Sequence, residues 1–435
     1  MSWILRCSAA ALAIAMLPFF ARAETAPPVS PATAPVAAPV AAPTTAGQTP
    51  PADPKPSVVT VSFSGWLVFN TYYNAGSFNT NAGFIDQPLY ATPGDGGALG
   101  MSVKQTRLRA NVSLPADGLL GNARLTGLVE GDFGGGYAAA DLSQALPRLR
   151  LAWIAATWAN LGGLTVRVGQ DWGVLEGPVA AVSLGHITVP RFAGAGQVFR
   201  RSPQVRVEGE LGDRVGGTYT GAVLPNGDKQ VAADGVLVGL RSATPDFEGR
   251  VAVFYRTEKK KHVEIGISGH HAQERWILDG EANAPTKYLV SQAVAVDYKL
   301  DLPYVTILGS AFKGENLDVW NSGAGPGIRR IMLAPDNKKL LAVTGIRTKG
   351  LWSQLGVTPV NGLRLLFGGG VETPTLADLG ADANFRRNQQ LSAGAVVSAG
   401  GRWRAGLEVT GYRTRTFPGR LLTSRQVELS TLYSF

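Results

Sequence analysis

Apolar and polar residues trade places at every second position through most of the chain beyond residue 57. The last twelve residues, SRQVELSTLYSF, show it best. Val427, Leu429, Thr431, Tyr433 and Phe435 share one face, Gln426, Glu428, Ser430 and Ser434 the other, and Leu432 alone is out of phase. Strict alternation of this length predicts a strand with one apolar and one wet side. A strand that closes a barrel and an edge strand of a soluble sandwich both fit that pattern; a chain ending on an aromatic favours the barrel.

The same reading carries through the earlier segments. Leu108, Ala110, Val112 and Leu114 alternate with Arg107, Arg109, Asn111 and Ser113. Leu125, Gly127, Val129 and Phe133 stand opposite Arg124, Thr126, Glu130 and Asp132. Leu149, Leu151 and Trp153 are set against Arg148 and Arg150. Leu164, Val166 and Val168 are set against Thr165, Arg167 and Asp171, and Val205 and Val207 against Gln204, Arg206 and Glu208. A one-residue slip would move each charged set into hydrocarbon, where an arginine at the midplane of a barrel wall costs ~2–4 kcal/mol. The charged face therefore lines an interior, and the expected interior is water rather than packed side chains.

Connections alternate in length. Tight turns occur at 115–118, 160–163, 212–214, 301–303, 359–362 and 400–401, where Gly, Pro, Asn and Asp concentrate. Long connections run over 74–100, 134–146, 173–197, 224–248, 272–287, 314–338 and 373–386. Short turns at one end and long loops at the other predict an all-β, transmembrane antiparallel barrel with periplasmic turns and extracellular loops. With both ends on one side the strand number is even, and pairing by turn length gives about sixteen. That requires the apolar run 235–241 to belong to an extracellular hairpin rather than the wall. Aromatics near strand ends, Tyr72, Tyr73, Trp158, Trp172, Tyr433 and Phe435, suit interfacial girdles.

Composition narrows the compartment. Residues 1–23 read as a signal peptide, with Arg6, an apolar core and the small-residue site Ala21-Arg22-Ala23. Cys7, the single cysteine, lies inside it, so the mature chain has no thiol for a disulfide or a metal, and no cofactor is implied. Residues 24–56 are almost wholly Pro, Ala, Thr and Val and form an extended tether. Residues 57–435 then form one domain. No other stretch offers the ~18 consecutive apolar residues of a spanning helix. A formal charge of +9 would suggest nucleic acid inside a cell; on an exported chain it suggests an anionic solute or anionic lipid.

The candidate chemistry is electrostatic. Arg107, Arg109, Arg124, Arg148, Arg150, Arg167 and Arg206 all face inward, opposed by Glu130, Asp132, Asp171 and Glu208. Such a wall concentrates anions in a narrow wet passage, and guanidinium forks suit carboxylates. Pairs such as Arg124 with Glu130 or Arg206 with Glu208 would instead only satisfy one another. The long connection 173–196, with Glu176, His186 and Arg191, is placed to fold inward and narrow the passage. Arg413 and Arg415 share the apolar phase near the outer rim, where lipopolysaccharide phosphates would meet them. Two other classes fit parts of the chain. Ser268, His270 and His271 invite a hydrolase, but no acid stands at a recognisable spacing. The Pro-rich tether permits an envelope anchor, although no wall-binding domain follows it.

The stretches VKQTRLRANV, LVEGDFGG, PRLRLAWI, VRVGQDWG and RRSPQVRVEGEL resemble the DcaP-like porins of Gram-negative outer membranes. EIGISGHH, AVAVDYKLDLP and GSAFKGENLDVW are similar to the same group. The resemblance implies a homotrimeric channel of sixteen-stranded barrels, each with an arginine-rich constriction passing small anions such as dicarboxylates. By that resemblance Arg107 and Arg109 match the family's basic second strand, Glu130 and Asp132 its EGDF strand, Arg148 and Arg150 its LRLR strand, Gln170 and Trp172 its GQ-W strand, and Arg201, Pro203, Gln204 and Arg206 its R-x-PQ-R strand. It also implies outer-membrane location, and insertion through the terminal Phe435. Residues 24–56 depart from the helical segment that family members can carry before the barrel.

Overall fold

A computed structural model describes residues 59–81, 84–94, 96–114, 120, 122–135, 145–175, 177–227, 242–257, 260–276, 287–323, 327–333, 340–380 and 383–435. The signal peptide and tether expected over 1–56, the turn at 115–118 and the run 235–241 lie outside these residues. The elements in chain order are β1 (Thr60–Ala75), the hairpin β2 (Phe78–Asn81) and β3 (Phe84–Ala91), β4 (Gly97–Ser102), β5 (Arg107–Leu114), β6 (Arg124–Gly135) and β7 (Leu146–Trp158). Next come β8 (Leu164–Trp172), β9 (Arg201–Leu211), β10 (Val215–Leu224), β11 (Asp246–Thr257), β12 (Lys260–Trp276), β13 (Lys287–Asp301) and β14 (Val305–Glu315). A second hairpin, β15 (Ile328–Leu333) and β16 (Leu340–Gly345), precedes β17 (Arg347–Val360), β18 (Leu363–Pro374), β19 (Arg387–Ala399), β20 (Trp403–Arg415) and β21 (Leu421–Ser434).

All wall neighbours pair antiparallel, and the sheet closes where β21 pairs β1 from Trp66↔Ser434 to Ala75↔Arg425. On its other edge β1 meets β5 along its first half and β4 along its second. β4 and β5 are thus one wall strand interrupted at 103–106, and the barrel has sixteen staves. β10 pairs directly with β11, so the even count holds without a stave from 225–245. Turn chemistry explains the short ends: Gly162 and Gly163, and Gly400 and Gly401, all take the positive φ that glycine tolerates. At the seam, Gly65 and Phe435 exchange both backbone hydrogen bonds at 3.2 Å. The Phe435 ring occupies the space where a Cβ on residue 65 would stand.

Alternation sorts the wall as the pattern predicts. Val427, Leu429 and Tyr433 are exposed on the outside, while Gln426, Glu428 and Ser430 are buried within. An outward belt of this kind has only hydrocarbon to meet. Leu432, out of phase in the sequence, points inward and packs with Val68, Leu184, Leu366 and Val396.

Three expectations fail, each for a packing reason. In β7 the register against β6 shifts between Glu130/Gly131, so Leu151 faces Glu130 while Leu149 faces Gly131. Arg150 is the extra residue of that β-bulge, and Leu151 and Trp153 turn inward while Ile154 turns out. Tyr72 is not a girdle residue but is buried on the inner face, and Trp172 packs against Val189, Ala193 and Phe199 of the following loop. The interior is not simply water: the connection 173–200 returns into the barrel and buries Val174, Leu175, Val179, Leu184, Val189, Phe192 and Phe199.

Candidate functional site

The inner loop is held by amide side chains from across the barrel. Gln105 of the 103–106 interruption donates to the Gly185 carbonyl at 2.5 Å and accepts from the Ile187 amide at 3.1 Å. Gln87 of β3 repeats this pattern at Gly185 and Val189. On the far side Gln390 donates to the Ala193 carbonyl and Asn388 to that of Gly194. Gln354 both donates to and accepts from Val182. Gln87, Gln105 and Gln354 each supply both a donor and an acceptor, and Gln390 and Asn388 a donor, to loop backbone that would otherwise be buried unpaired. At Gly196, φ is +103° and an added Cβ would lie 2.4 Å from the Leu351 carbonyl oxygen, so glycine permits this contact with β17.

His186 and Arg191 do not line water; both are buried. Arg191 lies 3.7 Å from Glu408 and His186 3.6 Å from Glu428, two wall carboxylates that stand directly opposite each other on β20 and β21. Ser183 donates to Glu408 at 2.7 Å. These groups tie the loop to the wall. Glu176 lies outside the described residues.

The arginine wall faces the other side of the loop. Glu130 contacts Arg107, Arg109 and Arg150, and Asp132 contacts Arg148 and Arg150. Four guanidiniums therefore share two carboxylates. The bulge places Arg150 between the two acids, 2.9 Å from Glu130 and 2.8 Å from Asp132, with its side chain wholly buried. Arg107 is also withdrawn, donating to the Ile187 carbonyl at 2.6 Å. Arg109 and Arg148 keep side-chain exposures of 28% and 27%. The cations that meet solvent are thus backed by cations that do not.

Below them, Arg167 contacts Asp171 and Glu208, and Arg206 lies 3.3 Å from Asp171 and 3.8 Å from Glu208, a balanced pair of pairs. Arg167 also stacks on Trp153, 4.3 Å from the ring centroid. Arg124 does not reach Glu130: six residues of strand, about 20 Å, separate them. It hydrogen-bonds Ser113 at 3.2 Å near the short-turn end and stands exposed.

Arg201 is a lumen residue that alternation alone does not find, because it begins β9 where the loop rejoins the wall. Its guanidinium stacks on Trp172 at 5.3 Å. With Gln170, Arg200, Ser202 and Asn321 it lines a cavity of about 340 Å³. Arg200 in the same cavity is neutralised by Asp246 at 2.6 Å.

The histidine reading resolves differently. His271 points outward and His270 inward, so they are no pair. Buried His270 lies 3.0 Å from Ser291 and 3.7 Å from Glu248, but Ser291 donates its hydroxyl hydrogen to the Asn316 carbonyl at 2.7 Å. Such a serine has no proton for the imidazole to take, and all three side chains are buried. Among the described residues no cluster of His, Cys, Asp and Glu could hold a metal.

A closed sixteen-stranded antiparallel barrel, apolar outside and charged within, narrowed by a loop after its fifth stave, has the architecture of the outer-membrane channel proteins. The comparisons agree. The chain is similar in structure to the outer membrane channel DcaP of Acinetobacter baumannii, with a TM-score of 0.66 and 17% identity over 87% of this chain and 97% of that one. It is also similar to Salmonella typhi OmpF, solved in complex with daunomycin, at a TM-score of 0.51 and 11% identity over 86% and 97% of the two chains. No family model and no curated protein matches the sequence. The DcaP-like resemblance read from the strand motifs holds at the level of the fold.

Proposed function

We propose that the protein is a porin of a Gram-negative outer membrane, a water-filled passage through which small hydrophilic solutes diffuse, with preference for anions such as dicarboxylates. The observation that carries this reading is the unequal sharing at the β5–β7 wall: four guanidiniums on two carboxylates, with Arg109 and Arg148 reaching solvent. In a low-dielectric barrel the excess positive charge focuses potential into the lumen and raises the local anion concentration. Arg150 and Arg107 act through position, holding the carboxylates and the inner loop so that the passage keeps its width. Arg201 extends the positive track toward the long-loop end. The chain works as a homotrimer in this reading, embedded in outer-membrane lipid and lipopolysaccharide and inserted through its terminal strand.

Single-channel conductance and reversal potentials in planar bilayers test it, with dicarboxylate, sugar and phosphate competing at low salt, where the arginine field is least screened. Anion preference relieved by a dicarboxylate supports the reading. Cation preference, or no channel at all, overturns it; liposome swelling separates a pore from a sealed structural barrel.

A further inference from the structure

The inner loop bends back on itself over 190–197. The Ala193 amide donates to the Pro190 carbonyl at 3.0 Å, and those of Ala195 and Gln197 to the Phe192 carbonyl at 2.9 and 3.1 Å. Gly194 takes a φ of +70° at the turning point, and Phe192, Ala193 and Ala195 are buried. Three of the other long connections reach down from the mouth of the barrel to meet this bend.

The first is the β2–β3 hairpin. The Leu89 carbonyl accepts from Asn388 and from Gln390, both at 2.9 Å. The same two amides hold the Gly194 and Ala193 carbonyls, at 2.8 and 3.0 Å, so hairpin and bend share one pair of donors. The second connection follows β14. Its Gly323 stands so near the bend that an added Cβ would lie 2.9 Å from the Gly194 Cα. Asn321, two residues before, donates to the Phe199 carbonyl at 2.8 Å, and the Phe199 amide donates to the Trp320 carbonyl at 2.9 Å. The third lies between β18 and β19 and supplies Phe385, which is wholly buried. The Phe385 ring meets Tyr90 of the hairpin edge-on, with centroids 5.3 Å apart, and would lie 2.8 Å from a Cβ on Gly323. Asn384 beside it donates to the Gly323 carbonyl at 3.2 Å.

We propose that Phe385 is a positioning residue for the constriction: its ring locks three outer connections onto the 190–197 bend, so the width of the passage is set from the mouth. Close packing leaves no void to absorb a displacement, and deleting a buried ring lets its neighbours collapse only in part. Gly323 and the hairpin then lose the surface that presses them on the bend. The junction contains none of the β5–β7 arginines, so loosening it widens the passage without changing the charge that lines it. The proposal rests on the porin reading for its consequence, permeation, but the locking of the bend is measured without any current.

The test uses the full chain, purified in detergent and also reconstituted into bilayers and liposomes. Amide hydrogen exchange over 192–197 is followed by mass spectrometry in wild type, Phe385→Ala and Phe385→Leu. Exchange at least about tenfold faster is expected in Phe385→Ala, with Phe385→Leu between it and wild type. Single-channel conductance should rise, and liposomes should swell in larger uncharged sugars, in the same order. Heat-modifiable migration on a denaturing gel shows that each barrel is folded. A folded Phe385→Ala barrel with wild-type exchange over 192–197 overturns the proposal, as does faster exchange with conductance and sugar limit unchanged. Should Phe385→Ala not fold, Gly323→Ala wedges a methyl group into the same contact from the other connection. It must speed exchange of the same amides, and unchanged exchange there also overturns the proposal. A wild type that carries no current, with the exchange difference intact, would sink the porin reading and leave the lock on the inner loop standing.

Discussion

Removing the Arg109 guanidinium isolates the electrostatic argument. The Arg109→Gln variant is expected to fold, because Glu130 keeps Arg107 and Arg150 and the wall loses only its outermost member. In a water-filled lumen, an ion passing about 6 Å from the missing charge changes its energy by roughly 0.7 kcal/mol. The anion loses that attraction and the cation escapes the same repulsion, so the anion-to-cation permeability ratio changes by about 1.4 kcal/mol, or roughly tenfold. Screening sets the salt dependence. With a Debye length near 10 Å at 0.1 M the effect falls to about fourfold, and at 1 M it nearly vanishes. Reversal potentials across a potassium chloride gradient measure the ratio directly. The same change at Arg124, exposed near the short-turn end, serves as the comparison and is expected to move the ratio less. An Arg109→Gln channel with unchanged selectivity at low salt would refute the assignment of this wall to solute selection.

Three further outcomes follow from the geometry. Glu130→Gln takes from Arg107 and Arg109 the carboxylate they contact and leaves Arg150 with Asp132 alone; it should cost about 3–5 kcal/mol in urea unfolding from lipid vesicles while raising anion preference. Loss of stability without a selectivity gain would show that the wall is structural only. Gly196→Ala forces a Cβ against the Leu351 backbone and lifts the inner loop from β17, so single-channel conductance should rise; identical conductance would place the constriction elsewhere. Burial first, then the Arg191 guanidinium, hold the His186 imidazole well below its ordinary value of 6.5. A base whose folded pKa is depressed lends stability above the unfolded pKa and loses it as pH falls below 6.5, because the unfolded chain takes up the proton first. Thermal unfolding should therefore shift down between about pH 7.5 and pH 5, and His186→Gln should shrink that shift; an undiminished shift would assign the pH response to the wall carboxylates alone.

The sequence by itself determined the closed sheet, its sixteen staves and the inward phase of the charged residues on β5, β6, β8 and β9. A strand's side chains must alternate, and hydrocarbon penalises arginine, so period, parity and composition carry that information locally. Which arginines meet solvent was settled by the tertiary structure. The bulge at Arg150 inserts one residue and reverses the faces of Leu151 and Trp153, yet PRLRLAWI reads as unbroken alternation. The lumen's packed side was equally hidden, because it rests on contacts between residues far apart in the chain, such as Ser183 with Glu408 and Gln390 with Ala193. Leu432 breaks the period because a loop more than two hundred residues earlier lies against it. Alternation records only which side of the wall a residue faces; whether that side is wet depends on what the rest of the chain brings across the barrel.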